Sequence, residues 1–478
     1  MPRNKISCAL AAVLVAVLGA CSLAPPLKVP DVPAAQSYKE IAPWAAAYPA
    51  DALPRDAWWK LYGDAELDAL QTRLIKRSPD LAAALARYQQ SRAISDQAGS
   101  GQFPTVFGTA NVQRDRQSEM KPLRVLGPNS PNNYRSNTLG LEADYELDLW
   151  GRIRNQVAAG SALEQAAQAD LESARLSLQA QLADSYIALR GLDREIELLN
   201  ETSTAYAKAL ALVKVRHDAG IASGLDVARA QNQLDATRSQ VEQALAKRAL
   251  GEHAIASLIG ETASTFTIES RRANILLPSV PSGLPSTLLQ RRPDIAAAQR
   301  RIAAVNANVG MASAAFFPSV TLSALVGYQS SAFGNLVRSP NTYWAVGPSL
   351  FLTLFDAGKR DAEMARTNAV LDEAGATYRG VVLSAFQQVE DDLALLTHYR
   401  AAEESERSSQ AAAQRSLDLA ITRYREGAVN YLEVVASQTI ALQAQRNVLD
   451  LGTRQLRASV QLIRALGGGW SDSSKPTD

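Results

Sequence analysis

The chain has 478 residues with a formal net charge of +1, and 47% of its residues are hydrophobic. Beyond the N-terminus there is no run of about 18 apolar residues, which excludes an ordinary membrane-spanning helix. The near-neutral charge gives no indication of nucleic-acid binding. The high content of Ala, Leu, Gln, Arg and Glu favours long helices.

Residues 1–20 have the organisation of a secretory signal peptide. Arg3 and Lys5 precede an apolar stretch at 6–17, which is too short to span a membrane comfortably. Cys8 lies inside this signal, so the mature chain would keep one cysteine and no internal disulfide. Stability must therefore come from packing and from oligomerisation.

The signal ends in Leu18-Gly19-Ala20-Cys21, which resembles the lipobox of bacterial lipoproteins. The resemblance implies that the signal is cut before Cys21, that the Cys21 thiol carries a diacylglycerol and that the new N-terminus is acylated. Such an anchor holds firmly, because each buried CH₂ group contributes about 0.8 kcal/mol. Ser22 stands in place of the Asp that retains lipoproteins at the inner membrane, which favours the outer membrane. The alternative is a plain cleavable signal with an incidental cysteine. No cofactor other than this covalent lipid is expected.

The chain contains two internal repeats with the same order of secondary-structure elements. The segment 78–84 recurs at 292–298, and Phe103-Pro104 recurs as Phe317-Pro318, both 214 positions further on. In the later part of each copy the offset is 207, which matches Gly151, Gly220 and Gly260 with Gly358, Gly427 and Gly467. Two constant offsets over so long a stretch indicate a duplication, with a longer loop in the first copy.

Each copy reads as helix, strand, loop, strand, very long helix, turn and helix. Pro79 and Pro293 mark helix starts, because Pro is tolerated at the first helical position. The helices after Gly151 and Gly358 extend for about 67 residues, which is roughly 100 Å each. Helices of this length predict either a tube of packed helices attached to a membrane β-barrel or a solvent-exposed coiled-coil spacer.

Four segments predict β-strands, at about 104–114, 136–149, 318–328 and 344–355. In the second of them apolar residues alternate with polar ones, and the polar face is formed by Thr138, Gly140, Glu142, Asp144, Glu146 and Asp148. An apolar face suits lipid and an acidic face suits water, so the four acids are expected to line a lumen. Pro348 in the fourth segment is anomalous, because Pro removes a donor from the strand ladder.

Four strands cannot close a membrane barrel. Open strand edges in lipid would leave backbone groups unpaired, at several kcal/mol each, and the smallest outer-membrane barrels have about 8 strands. The chain must therefore share its strands with copies of itself. Two chains would give a filled barrel, whereas three would give roughly 12 strands and room for a channel.

Several motifs together resemble the NodT/OprM branch of the TolC-like outer-membrane factors, over nearly the whole chain. They are Trp58–Asp64, Tyr145–Arg152, Gln290–Ile295 and Phe316–Val320. The resemblance implies an α+β membrane protein, mostly α, in which a trimeric 12-stranded β-barrel with four strands per chain continues into a long periplasmic α-helical barrel. It implies the exit duct of a tripartite efflux pump. Its partners would be its own copies in a homotrimer, a periplasmic adaptor, an inner-membrane pump of the resistance-nodulation-division class and outer-membrane lipid.

This plan predicts the division of the chain into segments. They are a signal peptide at 1–20, a lipid-anchored N-terminal and equatorial segment at 21–63, a first repeat at 64–260, an equatorial linker at 261–285, a second repeat at 286–467 and a tail at 468–478.

The resemblance also places a periplasmic gate where each long helix turns into its shorter partner. The turns are Gly220-Ile221-Ala222-Ser223-Gly224 and Glu426-Gly427-Ala428-Val429, and both are expected to contact the adaptor. Asp226 and Tyr424 match gate positions, Glu433 replaces the Asp of an acidic ring, and Val429 stands where the family has Arg. The other interpretation of Asp226 is an acid favoured by the helix dipole, and that of Tyr424 is packing between helices.

No catalytic set is assembled in the sequence. His217, His253 and His398 lie far apart without metal-ligand spacing, and Lys359 lacks the neighbours of a phosphate-binding loop. We therefore expect no enzyme and no metal. The nearest rival function is the outer-membrane component of a type I protein secretion system, which shares the fold. A lipid-anchored coiled-coil spacer, which would conduct no ions, is the rival from another class.

Overall fold

The structure is a computed structural model that describes residues 23–31, 39, 57–118, 120, 132–278 and 291–468. The predicted signal peptide, the predicted lipidation site Cys21 and all but the first residue of the predicted tail at 468–478 lie outside the described residues.

Seven α-helices account for most of the described residues. They are α1 (Ala65–Arg77), α2 (Pro79–Ser100), α3 (Arg152–Asp218), α4 (Gly224–Leu258), α5 (Pro293–Ala314), α6 (Lys359–Arg425) and α7 (Tyr431–Ala465). The predicted helix starts at Pro79 and Pro293 are confirmed. None of the helices in this part of the chain is long and apolar enough to cross a membrane.

Four strands form one antiparallel sheet in the order β1-β2-β3-β4. They are β1 (Thr105–Arg116), β2 (Asn133–Leu147), β3 (Ser319–Ser330) and β4 (Thr342–Phe351). The predicted strands are confirmed, but two of them end earlier than expected. Residues 352–355 lie outside β4 because β3 begins at Ser319, which already pairs with Phe351. Pro348 of β4 pairs with Leu322 of β3. Pro is tolerated at this position because β4 is an edge strand of the chain's sheet.

The element lengths repeat with the offset found in the sequence. Helices α2 and α5 have 22 residues each, α3 and α6 have 67 each, and α4 and α7 have 35 each. Because these three helices of the first copy have equally long counterparts in the second, at the offsets found in the sequence, the predicted internal duplication is confirmed.

The chain divides into two compact units, which are described separately. The sheet unit comprises the described parts of 1–30, 89–166 and 298–377, and contains all four strands. The helix unit comprises the described parts of 31–88, 167–297 and 378–478. The described residues of the predicted equatorial linker belong to the helix unit, and the equatorial position of this linker stays a prediction.

The core of the helix unit forms around a short 3-10 turn, Trp58–Tyr62, and around α1. Trp58 is 2% exposed and its ring meets that of Tyr62 edge to face, with the centroids 6.2 Å apart. The Tyr62 hydroxyl and the Ser459 hydroxyl of α7 share a hydrogen bond of 2.8 Å. Burial raises the pKa of Tyr62, so this hydroxyl stays protonated. The aromatic motif near the N-terminus therefore serves to pack the helices.

A buried arginine joins α3 to the coil that follows α4. Arg190 is 2% exposed, and its guanidinium donates to the Asp193 carboxylate at 2.6 Å and to the Glu269 carbonyl at 2.8 Å. It also pairs with the carboxylate of Glu66. Arg248 of α4 donates to the same Asp193 at 2.7 Å. Asp193 is only 2% exposed and depends on both arginines, so removing either of them takes away part of the compensation for its buried charge.

The first residue before α1 completes this network. Asp64 caps α1 by accepting a hydrogen bond from the Leu67 backbone N–H at 3.1 Å. It also accepts from the Tyr186 hydroxyl at 2.9 Å and pairs with Arg271 at 2.8 Å. Burial alone would raise the pKa of Asp64, but these three partners hold it below its usual range. Asp64 is therefore ionised and fixed in place.

We expect Arg190→Met to destabilise the helix unit by about 3–5 kcal/mol, because it removes the buried cation that pairs with Asp193 and Glu66 and leaves the buried Asp193 carboxylate with Arg248 as its remaining cation. The midpoint of thermal unfolding of the detergent-purified protein, followed by circular dichroism, checks this. Arg238→Met is the matched control, since Arg238 is 61% exposed and pairs with Asp235 at 3.6 Å on the surface of α4. Equal midpoints for the two variants would contradict the prediction.

Candidate functional site

The register of the sheet separates an apolar face from a polar one. Side chains directly opposite each other on neighbouring strands share a face, and Leu141, Val326 and Trp344 are aligned in this way across three strands. The apolar face is formed by Val106, Ala110, Val112, Leu139, Leu141, Ala143, Tyr145, Leu147, Val320, Leu322, Ala324, Val326, Tyr328, Trp344, Val346 and Leu350. The predicted period-two alternation is confirmed.

Much of this apolar face is exposed in the single chain. Trp344 is 74% exposed, Val112 70%, Leu350 68% and Leu141 57%. Soluble proteins rarely expose so large a contiguous apolar surface. The face therefore meets an apolar environment in the functional protein.

The opposite face of β2 carries three of the predicted lumen acids. Asp144 accepts a hydrogen bond from the Ser323 hydroxyl at 2.6 Å. Glu146 accepts two from the Arg152 guanidinium, at 2.7 and 2.6 Å. Glu142 lies opposite Leu325 on the same face. Arg152 therefore offsets part of the negative charge of this face, and the lumen role of the three acids stays a prediction.

Asp148 does not share this face, and the expectation that it would lie on the strand is wrong. Strand β2 ends at Leu147. The Asp148 carboxylate accepts hydrogen bonds from the backbone N–H groups of Ile153 and Arg154, at 3.0 and 2.8 Å, and one from the Arg154 side chain at 3.1 Å. It satisfies amides in the first turn of α3, which have no partner inside the helix. Asp148 is therefore a helix cap.

The junction between β2 and α3 explains why the strand stops there. The Trp150 indole N–H donates to the Pro318 carbonyl at 2.8 Å, just before β3 begins. The Trp150 ring stacks on Phe317 with the centroids 4.7 Å apart. Gly151 then turns the chain with a φ of +78°, a conformation that favours glycine.

The two outer strands of the sheet, β1 and β4, each pair on one side only within the described chain. Their free edges are 12 and 10 residues long. Unpaired edges of this length invite pairing with another strand. The sheet is therefore a fragment of a larger one.

The second candidate site is the pair of turns at the ends of the long helices. Gly220 and Gly427 adopt positive φ angles of +77° and +79°. The Ile221 N–H donates back to the Arg216 carbonyl, and the Ala428 N–H donates to the Arg423 carbonyl, both at 2.8 Å. These bonds satisfy carbonyls at the helix ends, as in a glycine-terminated C-cap. Of the predicted tip residues, Gly220, Ile221, Ser223, Gly224, Glu426, Gly427 and Ala428 are exposed, and Ala222 and Val429 are half-buried.

Asp226 has a local structural role at the start of α4. The Ser223 hydroxyl accepts from the Asp226 backbone N–H at 3.2 Å, and the Asp226 carboxylate accepts from the Ser223 backbone N–H at 3.3 Å. This is a capping box. Asp226 also pairs with Arg229 at 3.6 Å. The counterpart of Ser223 in the second copy is Asn430, which caps α7.

A cluster of tyrosines lies just behind the turns. Tyr424 and Tyr431 meet edge to face with their ring centroids 5.3 Å apart, and they are 7% and 2% exposed. The Tyr206 hydroxyl donates to the Gln438 carbonyl at 3.2 Å, which brings α3 against α7. Burial raises the pKa of Tyr431 to about 12 and also raises the pKa of Tyr424. The cluster is therefore neutral and apolar at physiological pH.

Arg216 connects the two long helices at this level. Its guanidinium lies over the Tyr424 ring, 4.7 Å from the centroid. It also donates to the Tyr424 and Arg425 carbonyls, at 3.1 and 3.3 Å. These carbonyls belong to the last turn of α6, where cations are favoured. Arg216 of α3 thus ties the end of α3 to the end of α6.

The second copy uses the equivalent arginine differently. Arg423 is 207 positions after Arg216 and forms a surface ion pair of 3.8 Å with Glu433, the counterpart of Asp226. The side chains of Arg423 and Glu433 are 57% and 50% exposed. An ion pair this exposed contributes little to stability. The two copies therefore share the residue types at the tip but not the contacts.

The described residues contain no group of three or more His, Cys, Asp or Glu placed to hold a metal ion. His217, close to a tip, has its Nδ1 2.9 Å from the Ala222 carbonyl. This contact lies within the turn between α3 and α4.

A protein-family model described as "Outer membrane efflux protein" matches residues 70–261 and 284–468. The chain belongs to this family. The predicted resemblance to the NodT/OprM branch is confirmed, and so is its placement in the outer membrane.

Two curated relatives and one solved structure illustrate the similarity. The chain is 33% identical over 458 residues to the pyoverdine export outer membrane protein OpmQ of Pseudomonas aeruginosa, and the aligned region covers 95% of each chain. It is 32% identical over 479 residues to the solvent efflux pump outer membrane protein SrpC of Pseudomonas putida, covering 96% and 97%. The structure of the outer-membrane channel OprN matches with a TM-score of 0.86 and 31% identity, over 94% of this chain and 100% of that one.

Arg216 is the tip residue of this efflux protein that the sequence reasoning missed. Two positions after Gly427, where the family resemblance implies an arginine, the chain has Val429. The repeat offset gives the missing signal, because it aligns Arg216 with Arg423 and so places an arginine in the last turn of both long helices. Which of the two would reach Tyr424 depends on how α3 and α6 approach each other.

We expect Arg216→Met to loosen the tips, because hydrogen bonds to charged groups are worth about 1.5–3 kcal/mol. Amide hydrogen exchange at 219–223 and 426–430 should become roughly tenfold faster or more. The control is Arg423→Met, which removes the equivalent but exposed arginine and should change exchange only slightly. The assignment of Arg216 as the tie between the helices is wrong if both variants behave alike.

Proposed function

We propose that the chain is the exit duct of a tripartite efflux pump, which conducts small molecules passively to the cell exterior. The observation that carries this proposal is the sheet, which exposes an apolar face and ends in two unpaired edges. Such a sheet is stable in lipid only when each edge meets another strand. A four-stranded sheet with these properties is a portion of a transmembrane barrel.

The assembly is a homotrimer with four strands from each chain. Because β1 and β4 run in opposite directions, β4 of one copy can pair antiparallel with β1 of the next and continue the same up-and-down order. Three copies close a barrel of roughly 12 strands, which is wide enough for a channel. The acidic face of β2 then lines the water-filled interior.

The helices that follow the strands extend the duct into the periplasm. Helices α3 and α6 have 67 residues each, which corresponds to about 100 Å at the rise of an α-helix. Each is followed by a 35-residue helix that returns from the tip. Three copies bring twelve such helices together, enough for a closed tube beneath the barrel.

The partners are a periplasmic adaptor and an inner-membrane pump of the resistance-nodulation-division class. The exposed turns at 220–224 and 426–429 are the surfaces offered to the adaptor. A name such as that of SrpC, which refers to the efflux of solvents, favours small molecules as cargo over proteins. Efflux is therefore favoured over type I protein secretion. The chain carries out no chemical reaction of its own, because its role is conduction.

Asp226, Tyr424 and Glu433 form the periplasmic gate in this proposal. Threefold symmetry would bring three copies of Asp226 and of Glu433 together at the narrow end of the duct. Acids gathered in a narrow lumen raise the local negative potential and delay cations. Arg216 and the tyrosine cluster hold the helix ends closed, and an adaptor opens them only by binding the open form more tightly.

The covalent lipid at Cys21 anchors the N-terminus of each chain to the outer membrane. The signal-peptide pattern and the lipobox support this assignment. An acyl anchor adds to the hold of the barrel, since each buried CH₂ contributes about 0.8 kcal/mol.

The lipid-facing role of the sheet is tested by two neighbouring residues on opposite faces. We expect Leu141→Arg to destabilise the barrel by about 2–4 kcal/mol and to reduce the yield of heat-modifiable trimer. Glu142→Arg is the control, because Glu142 faces the interior and should permit assembly. Normal trimer yield for Leu141→Arg in lipid vesicles would contradict the proposal.

The gate is tested by the double variant Asp226→Ala with Glu433→Ala. Loss of the acids should raise single-channel conductance in planar bilayers by about twofold or more and reduce its sensitivity to divalent cations. Asp226→Asn with Glu433→Gln removes only the charge and should act in the same direction. Asp235→Ala, an exposed acid further along α4, is the control. Conductance and cation sensitivity at wild-type values in both double variants would refute the gate.

A further inference from the structure

The first described segment of the chain, 23–31, begins two residues after the predicted lipidation site. Within the sheet unit this segment lies against α5. The Asn306 side chain of α5 donates a hydrogen bond to the Pro25 carbonyl at 2.9 Å, and Asn306 is itself only 8% exposed. A buried amide directed at a backbone carbonyl fixes the path of the segment.

Two glycines inside helices make room for the same segment. A Cβ atom added to Gly310 of α5 would lie 2.8 Å from the Ala24 Cβ and 2.5 Å from the Asn155 Nδ2. A Cβ atom added to Gly375 of α6 would lie 3.2 Å from the Pro30 Cγ. Glycine inside a helix costs about 1 kcal/mol relative to Ala. At Gly310 the segment and the Asn155 side chain of α3 together leave no room for a Cβ atom, and at Gly375 the segment alone approaches closely.

The duplication supplies an internal comparison. The positions in the first copy that correspond to Asn306 and Gly310 are Arg92 and Asp96, on the exposed surface of α2. The counterpart of Gly375 is Gln168, which is also exposed. Each of these three positions of the first copy carries a charged or polar side chain that is exposed to solvent. The three positions of the second copy, in contrast, lie against the segment 23–31.

We propose that Asn306, Gly310 and Gly375 form a seat for the segment that follows the acylated cysteine, so that contacts made by the second repeat determine where the lipid anchor leaves the protein. The name "seat" is kept for these three residues. The proposal rests on the acylation of Cys21. Two peptide links connect Cys21 to Leu23, so their Cα atoms are at most about 8 Å apart. A seated segment therefore confines the acylated residue to the neighbourhood of the second repeat.

Crosslinking tests the seat with the full-length, membrane-purified protein. We expect Ala24→Cys with Gly310→Cys to form a disulfide within one chain on mild oxidation, because the two Cβ atoms come close to the spacing of about 3.5–4.5 Å that a disulfide needs. The control is Ala24→Cys with Asp96→Cys, which places the second cysteine at the equivalent position of the first repeat. The seat is refuted if the control pair links as well as the test pair, or if neither pair links.

Proteolysis tests the seat without new cysteines. Gly310→Leu fills the groove with a good helix former, and trypsin cleavage after Lys28 in the native trimer should then become about tenfold faster, in proportion to the population of released segment. Asp96→Leu is the control and should leave the rate unchanged. Mass spectrometry of the peptides follows the cut. An unchanged rate for Gly310→Leu would overturn the proposal.

The same peptides separate this inference from the lipid anchor itself. The mass of the N-terminal peptide reports whether Cys21 carries acyl chains, whereas the crosslink and the cleavage rate report only the seat. A segment that forms the crosslink but carries no acyl chain would refute the lipid anchor. The contact between the segment and the seat would then still hold. An acylated segment that is cleaved equally fast in all variants would refute the seat.

Discussion

Backbone hydrogen bonding at the edges of the sheet is the constraint on which the rest of this structure depends. In lipid an unpaired N–H or C=O group has no water to bond to, so a sheet with free edges is unstable there. The chain has an apolar face that requires lipid, but the two unpaired edges of its sheet would make a single chain unstable in lipid. Only repetition of the chain around an axis satisfies both conditions, and a central pore follows from that geometry rather than from any particular residue.

The two repeats have the same backbone structure but differ in the contacts of their side chains. Paired helices have the same lengths, and Gly220 and Gly427 have the same left-handed turn. At equivalent positions, however, Arg216 binds the end of α6 whereas Arg423 faces solvent near Glu433. Equal lengths keep both tips in register along the duct, and divergent side chains allow each tip its own contacts. The positions on α5 and α2 show the same divergence, because only those of α5 contact the segment 23–31.

The sequence predicted those features that depend on neighbouring residues. Helix starts follow from Pro79 and Pro293, turns follow from their glycines, and the two-faced strands follow from period-two alternation. It failed where contacts join distant parts of the chain. Asp148 continues the alternating pattern, but its carboxylate binds the backbone N–H groups of Ile153 and Arg154 and so caps a helix instead of extending the strand. The tie between Arg216 and Tyr424 spans 208 positions, and no local pattern encodes it.

The ion pairs described above have arginine as their cation, as at Arg190, Arg248 and Arg271 in the helix unit and at Arg152 beside the strands. A guanidinium keeps its proton well beyond pH 12 or so, whereas a carboxylate loses its charge near pH 4. The frame is therefore insensitive to alkaline surroundings on the side of its cations, and acid attacks it only through Asp and Glu. At Asp64 the partners hold the pKa below its usual range, so its ion pair with Arg271 outlasts the pH at which a free carboxylate would lose its charge. Guanidinium cations, for their part, preserve all of these ion pairs as the surroundings become alkaline.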